Sequence, residues 1–355
     1  ARGEEFRVSD EQPTVDGIEV DHVTSWFEEH TDAEPPLEFE IIEGGRSNLT
    51  YRVTDAGGSR WVLRRPPLHS VLESAHDMGR EHRIISALAD TEVPVPTTVA
   101  LETDDEVTGA TFYVMEYVDG PVIRDIDAAE EHLDEEGRRR AAESLVDVLV
   151  SLHDVDPDEV GLGDLAKKED YIARQLHRWH GQLQKGRTRD LPLLDEVHDR
   201  LAADIPEQGK AAIVHGDYRL DNLIVDTDGE VQAVLDWELC TLGDPMADLG
   251  LLMVYWSEPG DETIPLLSAP TTVAGFPSRQ EVAERYAEGS GRDISELDYF
   301  RAFGYWKLAC ILEGVYGRYR SGAYGDVPEE VWAPFGRIVE ELAARADTAA
   351  SAVGR

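Results

Sequence analysis

The chain is 355 residues long, 41% hydrophobic and 8% aromatic, which suits one large two-lobed domain or two modest ones and is too apolar for disorder. With 73 acidic against 33 basic residues the formal net charge is −40, which leaves no basic stripe to displace counterions and argues against nucleic acid as a partner. The longest apolar run, Leu249–Trp256, is far too short to span a bilayer, and ARGEEFRVSDEQP at the start has no apolar signal core, so a cytoplasmic protein without a membrane partner is expected.

In chain order, residues 14–31 have helical spacing and predict a peripheral helix within an N-terminal extension, 1–34. LEFEIIEGG and NLTYRVTDAGG alternate and end at glycines, and RWVLRRPP is a third short strand stopped by Pro66 and Pro67. Residues 73–90 return to helical spacing, with Ile84, Ile85, Leu88 and Ala89 as the apolar stripe. PTTVALETDD and ATFYVMEYVDG read as two more strands. The first lobe, 35–117, is thus expected to hold five antiparallel strands and one inserted helix, with a hinge over 118–122. Beyond it, helical spacing runs over 127–155, 168–186 and 192–204. The strands NLIVD and VQAVLD follow, joined by the turn TDGE, and then helices over 246–256, 279–290, 295–320 and 328–347. Ser278 and Glu281 have the spacing of a capping box. The fold class expected is α+β, with a larger helical lobe, 123–355, that holds one β-hairpin.

Cys240 and Cys310 stand far apart, show no zinc spacing and lie in apolar or aromatic surroundings, so both read as small core residues. Only five basic residues are lysine: Lys167, Lys168, Lys185, Lys210 and Lys307. Acids spread over the whole chain and scarce lysine are the pattern of salt-adapted proteins, in which counterions screen the self-repulsion. The melting temperature is therefore expected to fall as salt is lowered from about molar to about 0.1 M, where screening lengthens. Scanning calorimetry over a KCl series checks this, and a temperature that holds or rises in low salt contradicts it.

The stretch that carries chemistry is HGDYRLDNLIVD, residues 215–226, followed by LDWE. Pairing 222–226 with 231–236 brings Asn222 and Asp236 to one edge of the hairpin, with Asp217 just before it. A carboxylate at a strand mouth can orient a hydroxyl and take its proton, and an amide oxygen with a carboxylate suits magnesium, a hard ion usually completed by phosphate and water. That combination is the logic of phosphoryl transfer. His215 has the place of a loop-holding residue rather than a base, and Asp244 and Asp248 suit the start of a helix.

With HGDYRLDNLIVD, AVLDWELCTLGDPMADLG and YIARQLHRW, the sequence resembles the aminoglycoside-phosphotransferase and choline-kinase-like phosphotransferases over residues 35–325. Within that family it looks most like the kinase-type domain fused to acyl-CoA dehydrogenases and its stand-alone microbial relatives. The resemblance implies a bilobal protein-kinase-like fold and ATP with Mg2+ as cofactors. It implies that Asp217 is the catalytic carboxylate, that Asn222 and Asp236 are metal ligands, and that Asp248 holds the catalytic loop. Arg219 stands where protein kinases carry a lysine near the γ-phosphate, so it is either catalytic or a structural salt bridge. Kinase-like folds hold the α- and β-phosphates with a third-strand lysine, and this chain has none before Lys167. Side chains alternate along a strand, so Val62 and Arg64 share a face, and Arg64 is the expected substitute. Glu81 is its expected partner, with Glu73 as the alternative. EGGRSNLTYRV would be the phosphate-covering hairpin, with Gly45, Ser47 and Asn48. Backbone groups of Glu116 and Val118 would read adenine.

The acceptor is expected to be a hydroxyl of a small molecule. YIARQLHRWHGQLQKGRTRD is a basic exception in an acidic chain, with Tyr171, Arg174 and Arg178 on one helical face and Trp179 beside them. Lys307, Tyr316 and Arg318 lie on a later helix. A basic, aromatic-lined acceptor site suits an anionic hydroxy-acid or hydroxyacyl-CoA. Two alternatives stay open: an aminoglycoside or other small-molecule kinase, and a nucleotide-binding pseudokinase with a regulatory role.

Overall fold

The computed structural model describes residues 15–42, 48–68, 77–262, 264, 268–323 and 325–353. The chain divides into two compact units, residues 1–86 with 96–117, and residues 87–95 with 118–355.

The first unit is built on one antiparallel sheet in the order β1-β2-β3-β5-β4. Its strands are β1 (Glu38–Ile41), β2 (Leu49–Thr54), β3 (Arg60–Arg65), β4 (Thr98–Glu102) and β5 (Phe112–Glu116). All five expected strands are present, and β2 pairs with β3 in unbroken register from Leu49↔Arg65 to Thr54↔Arg60. Helix α1 (Val20–His30) begins later than helical spacing suggests, because Val15 and Ile18 first close a bridged turn with Gly17 at φ 78°. It is part of this unit's core rather than an appendage. Val23, Trp26 and Phe27 are buried with Tyr51, Val53, Leu63, Phe112 and Val114. Each such side chain contributes about 1.5–3 kcal/mol on full burial, which fastens α1 to the sheet. The Trp26 indole also donates to Glu102 at 2.9 Å. Helix α2 (Met78–Leu88) starts after residues outside the described set, and a one-turn helix, α3 (Asp105–Thr108), joins β4 to β5.

The second unit is mainly helical. The spacing over 127–155 predicts one helix, but two are found, α4 (Ile126–His132) and α5 (Glu135–Asp154). The reason is local: Asp134 turns extended and its carboxylate caps α5 by accepting from the Gly137 N–H at 2.8 Å. Helices α6 (Tyr171–Gly186), α7 (Pro192–Ala203), α8 (Met246–Tyr255), α9 (Arg279–Ser290), α10 (Leu297–Arg320) and α11 (Glu329–Ala350) follow. The capping box of Ser278 and Glu281 closes the start of α9. Cys240 and Cys310 are buried free thiols.

Two small sheets set the loops. The expected hairpin is β7 (Leu223–Val225) against β8 (Val231–Val234). A second pair, β6 (Ala212–Val214) with β9 (Thr241–Gly243), was not expected, since three-residue strands carry too little periodicity to read. Gly120 explains how the chain enters this unit. Its φ is 144°, and a Cβ there would lie 2.2 Å from the Val225 carbonyl oxygen, so only glycine lets the chain run alongside β7. The next carbonyl, of Pro121, then accepts from the Val225 N–H at 3.1 Å.

Candidate active site

In the first unit, alternation along β3 sends Arg64 and Arg65 to opposite faces. Arg65 is structural, donating to the carbonyls of Gly17 and, at 2.7 Å, Thr108. Arg64 makes an ion pair with Glu81 of α2, Nε to Oε2 at 2.9 Å, with 12% and 3% of the two side chains exposed. Glu81 also accepts from the Tyr113 hydroxyl at 3.1 Å and from the Asn48 amide at 3.2 Å. Tyr113 lies directly across from Arg64 in the β3–β5 ladder, so both reach the same carboxylate. The Asn48 amide is thus turned onto Glu81. Gly45, Ser47 and the alternative partner Glu73 lie outside the described residues. Glu116 ends β5, its N–H bonded to the Thr97 carbonyl at 2.8 Å, and Val118 begins the chain's second stretch in the other unit.

In the second unit, β6 leads into the His215–Asp217 turn. Gly216 has φ 89°, and a Cβ there would sit 2.8 Å from the Leu239 carbonyl oxygen. Asp248, in the first turn of α8, holds both amides: the N–H of His215 donates to it at 2.7 Å and that of Gly216 at 2.8 Å. Its remaining demand is met by His153 of α5, whose Nε2 lies 3.2 Å away. A carboxylate only accepts, so His153 donates through Nε2, and its Nδ1 takes the Tyr286 hydroxyl at 2.7 Å. Burial pushes the Asp248 carboxyl up, but hydrogen bonds from His153 and Gly216, with the electrostatic attraction of the His153 and His215 rings, carry it below its ordinary value. Burial lowers the His153 pKa, the proximity of Asp248 opposing it.

His215 is fully buried and fixes the loop from inside. The Asp217 N–H donates to its Nδ1 at 3.3 Å, so Nε2 carries the proton and donates to the Leu235 carbonyl at 2.9 Å. The Leu235 N–H in turn donates to the Asn222 carbonyl at 2.8 Å, which places Asn222 and Asp236 at the same edge of the hairpin. Asp236 adopts the left-handed conformation at φ 65°, a backbone cost that aspartate tolerates better than most residues. The Asn222 amide donates to Asp217 twice, to its carbonyl at 2.8 Å and to Oδ2 at 3.2 Å.

One cation and a phenol lie against the Asp217 carboxylate, and two further cations stand beyond them. Arg219 lies 3.4 Å from it and 3.0 Å from Asp221, with its guanidinium over the Tyr255 ring at 4.7 Å. Tyr255 hydrogen-bonds Asp217, and burial followed by that carboxylate's charge pushes its phenol pKa up. Lys307 of α10 is buried, donates to the Gly216 carbonyl at 3.2 Å and stands 6.0 Å from the centre of the Trp179 ring. Arg178 lies against the same ring at 5.2 Å.

A model of the phosphotransferase enzyme family matches residues 38–300. The chain belongs to the phosphotransferase enzyme family. Acyl-CoA dehydrogenase family member 10 of Mus musculus is 34% identical over 87% of the chain, which spans 29% of that relative's length. A provisionally named aminoglycoside phosphotransferase from Ralstonia eutropha is 31% identical, with a TM-score of 0.78 over 93% of this chain and 98% of that one. An aminoglycoside phosphotransferase crystallised with ADP and hygromycin B shares the fold at 16% identity, with a TM-score of 0.60 over 94% of this chain and 98% of that one. The kinase-like fold and the phosphotransferase class expected from the sequence both hold.

For a phosphotransferase, the donor set at Asn222 and Asp236 fits magnesium. Anchoring of the Asn222 nitrogen on Asp217 leaves its Oδ1 as a hard donor, and Asp236 adds a carboxylate. Among the described residues no cluster of three or more His, Cys, Asp or Glu side chains is placed to hold a metal, so phosphate and water must complete such a site.

Of the residues expected to line the acceptor side, the structure brings Arg178 and Trp179 to Lys307, and Lys307 to the Asp217 loop. Tyr171 is buried, its ring packed on Gly243, and Arg174 donates to the Lys167 carbonyl at 2.6 Å. Arg318 is exposed, about three turns along α10 from Lys307. Sequence reasoning missed Tyr255 and His153. Tyr255 ends an apolar helix with nothing to mark it, whereas Lys307 is expected from the sequence on the acceptor side and is found on the Gly216 carbonyl.

Proposed function

We propose that this phosphotransferase moves the γ-phosphoryl group of ATP to a hydroxyl of a small molecule that bears negative charge, a hydroxy-acid or a hydroxyacyl-CoA. The observation that carries the reading is the triad Asp217, Asn222 and Asp236 on one clamped loop and hairpin edge. Asp217 orients the hydroxyl and takes its proton as the oxygen attacks phosphorus and the bond to ADP breaks. Asn222 and Asp236 would hold magnesium, which supplies charge neutralisation on the phosphates when bound. Arg64, oriented by Glu81, would hold the α- and β-phosphates, and Glu116 and Val118 would meet the base. The neighbour crystallised with ADP supports a nucleotide as donor.

Two features support an anionic acceptor. Lys307 and Arg178 put positive charge on the side of Asp217 where α6 and α10 meet, which opposes a polycationic aminoglycoside. The curated relatives carry the name acyl-CoA dehydrogenase family member, which favours a CoA ester. The test is transfer of label from γ-labelled ATP, with Mg2+ and molar KCl, to a panel of hydroxy-acids, hydroxyacyl-CoAs and aminoglycosides. Label is expected on an acid or CoA ester and is lost with a chelator; label on aminoglycosides alone would sink the acceptor assignment. Arg178→Ala is expected to raise the acceptor KM about tenfold while leaving the nucleotide KM unchanged. Steady-state kinetics check this, and an unchanged acceptor KM removes Arg178 from the site.

A further inference from the structure

We infer that Lys307 is a positioning residue, holding the Asp217 turn by gripping the carbonyl side of Gly216 while Asp248 grips the amide side. Gly216 is the hinge of that turn. Its N–H goes to Asp248 of α8 at 2.8 Å and its carbonyl receives the Lys307 ammonium of α10 at 3.2 Å. Two opposite charges from two helices thus hold the two peptide groups that flank one glycine. The Leu239 backbone closes the remaining side, 2.8 Å from where a Cβ would be. Lys307 is 7% exposed and Asp248 is 1% exposed, so neither contact exchanges readily with water. A buried ammonium is costly unless its charge is used. Here burial, with the Arg178 charge, lowers its pKa below the ordinary value, and the charges of Asp217 and Asp248 oppose that shift.

The arrangement has a consequence for the peptide that follows. The Gly216 carbonyl belongs to the same peptide plane as the Asp217 N–H, which donates to His215. Fixing the carbonyl therefore fixes the plane from which the Asp217 side chain departs. Methionine at 307 would fill the volume and supply no donor; glutamine would keep an N–H donor on a side chain one bond shorter.

The test combines hydrogen exchange of the His215 and Gly216 amides with steady-state kinetics. Lys307→Met is expected to speed loop exchange at least about tenfold and to lower kcat at least about tenfold, with the nucleotide KM within about twofold. Lys307→Gln is expected to recover most of both losses. Unchanged loop exchange in Lys307→Met overturns the inference, as does a glutamine variant no better than the methionine one. Should the methionine variant fail to fold, Lys307→Gln carries the test alone. Faster exchange of the two amides in Lys307→Gln than in the wild type, in an otherwise unchanged unit, then supports the clamp, and wild-type exchange in that variant overturns it. Only the kinetic arm rests on the phosphotransfer proposed above. A wild-type protein that turns over no acceptor in the panel defeats that reading and leaves the exchange arm intact.

Discussion

Asp217→Asn is expected to lower phosphoryl transfer about a thousandfold, with little change in melting temperature or in nucleotide KM. The substitution keeps the shape of the side chain and removes its ability to take a proton. Its structural cost is small because the groups around Asp217 have other partners. Asn222 retains the Asp217 carbonyl at 2.8 Å, and Arg219 retains Asp221 at 3.0 Å. Partly exposed pairs such as Arg219 with Asp217, whose side chains are 26% and 23% exposed, are worth at most about 1 kcal/mol. Turnover measured beside a thermal melt separates the two effects. Residual activity within tenfold of wild type would show that the proton is taken elsewhere.

Asp248→Asn acts on the opposite balance and is expected to be the most destabilising conservative change in the second unit, by about 3–5 kcal/mol. An asparagine offers one oxygen where three donors converge, and its own NH2 faces an N–H that has no other acceptor. At about 2–4 °C per kcal/mol this moves the transition of that unit down by roughly 6–20 °C. The wild type should also show an acid limb that the variant lacks. The folded pKa of Asp248 lies below its ordinary 3.8, so the unfolded chain binds the proton more readily. Its contribution is complete above about pH 4–5 and is lost as pH falls through the lower folded value. Chemical denaturation between pH 3 and 7 measures both effects; parallel wild-type and variant curves would remove Asp248 as their source.

Much of this was legible in the sequence, and for identifiable reasons. HGDYRLDN and LDWE could be placed because two short apolar runs bracket them and a tight turn forces the pairing. Arg64 could be separated from Arg65 because a strand alternates strictly, and the ion pair with Glu81 follows from that face. The break at Leu133 could not be read, because apolar spacing continues through it and only the Asp134 cap marks the new start. Strands β6 and β9 were hidden by their length. The grip of Lys307 on Gly216 joins residues 91 positions apart, and no local pattern encodes such a contact. The same holds for Tyr255 on Asp217 and His153 on Asp248.

The Arg64–Glu81 pair has a bearing on how this protein can be detected. Nucleotide analogues that acylate a nearby amine report on kinase-like proteins through a nucleophilic lysine beside the phosphates. A guanidinium stays protonated and does not acylate under such conditions. With the first lysine of the chain at Lys167, the sheet that carries Arg64 offers such a reagent no side-chain amine. A survey that relies on a lysine in that sheet would find none to label there, and affinity or exchange methods would be needed to detect a nucleotide on that side.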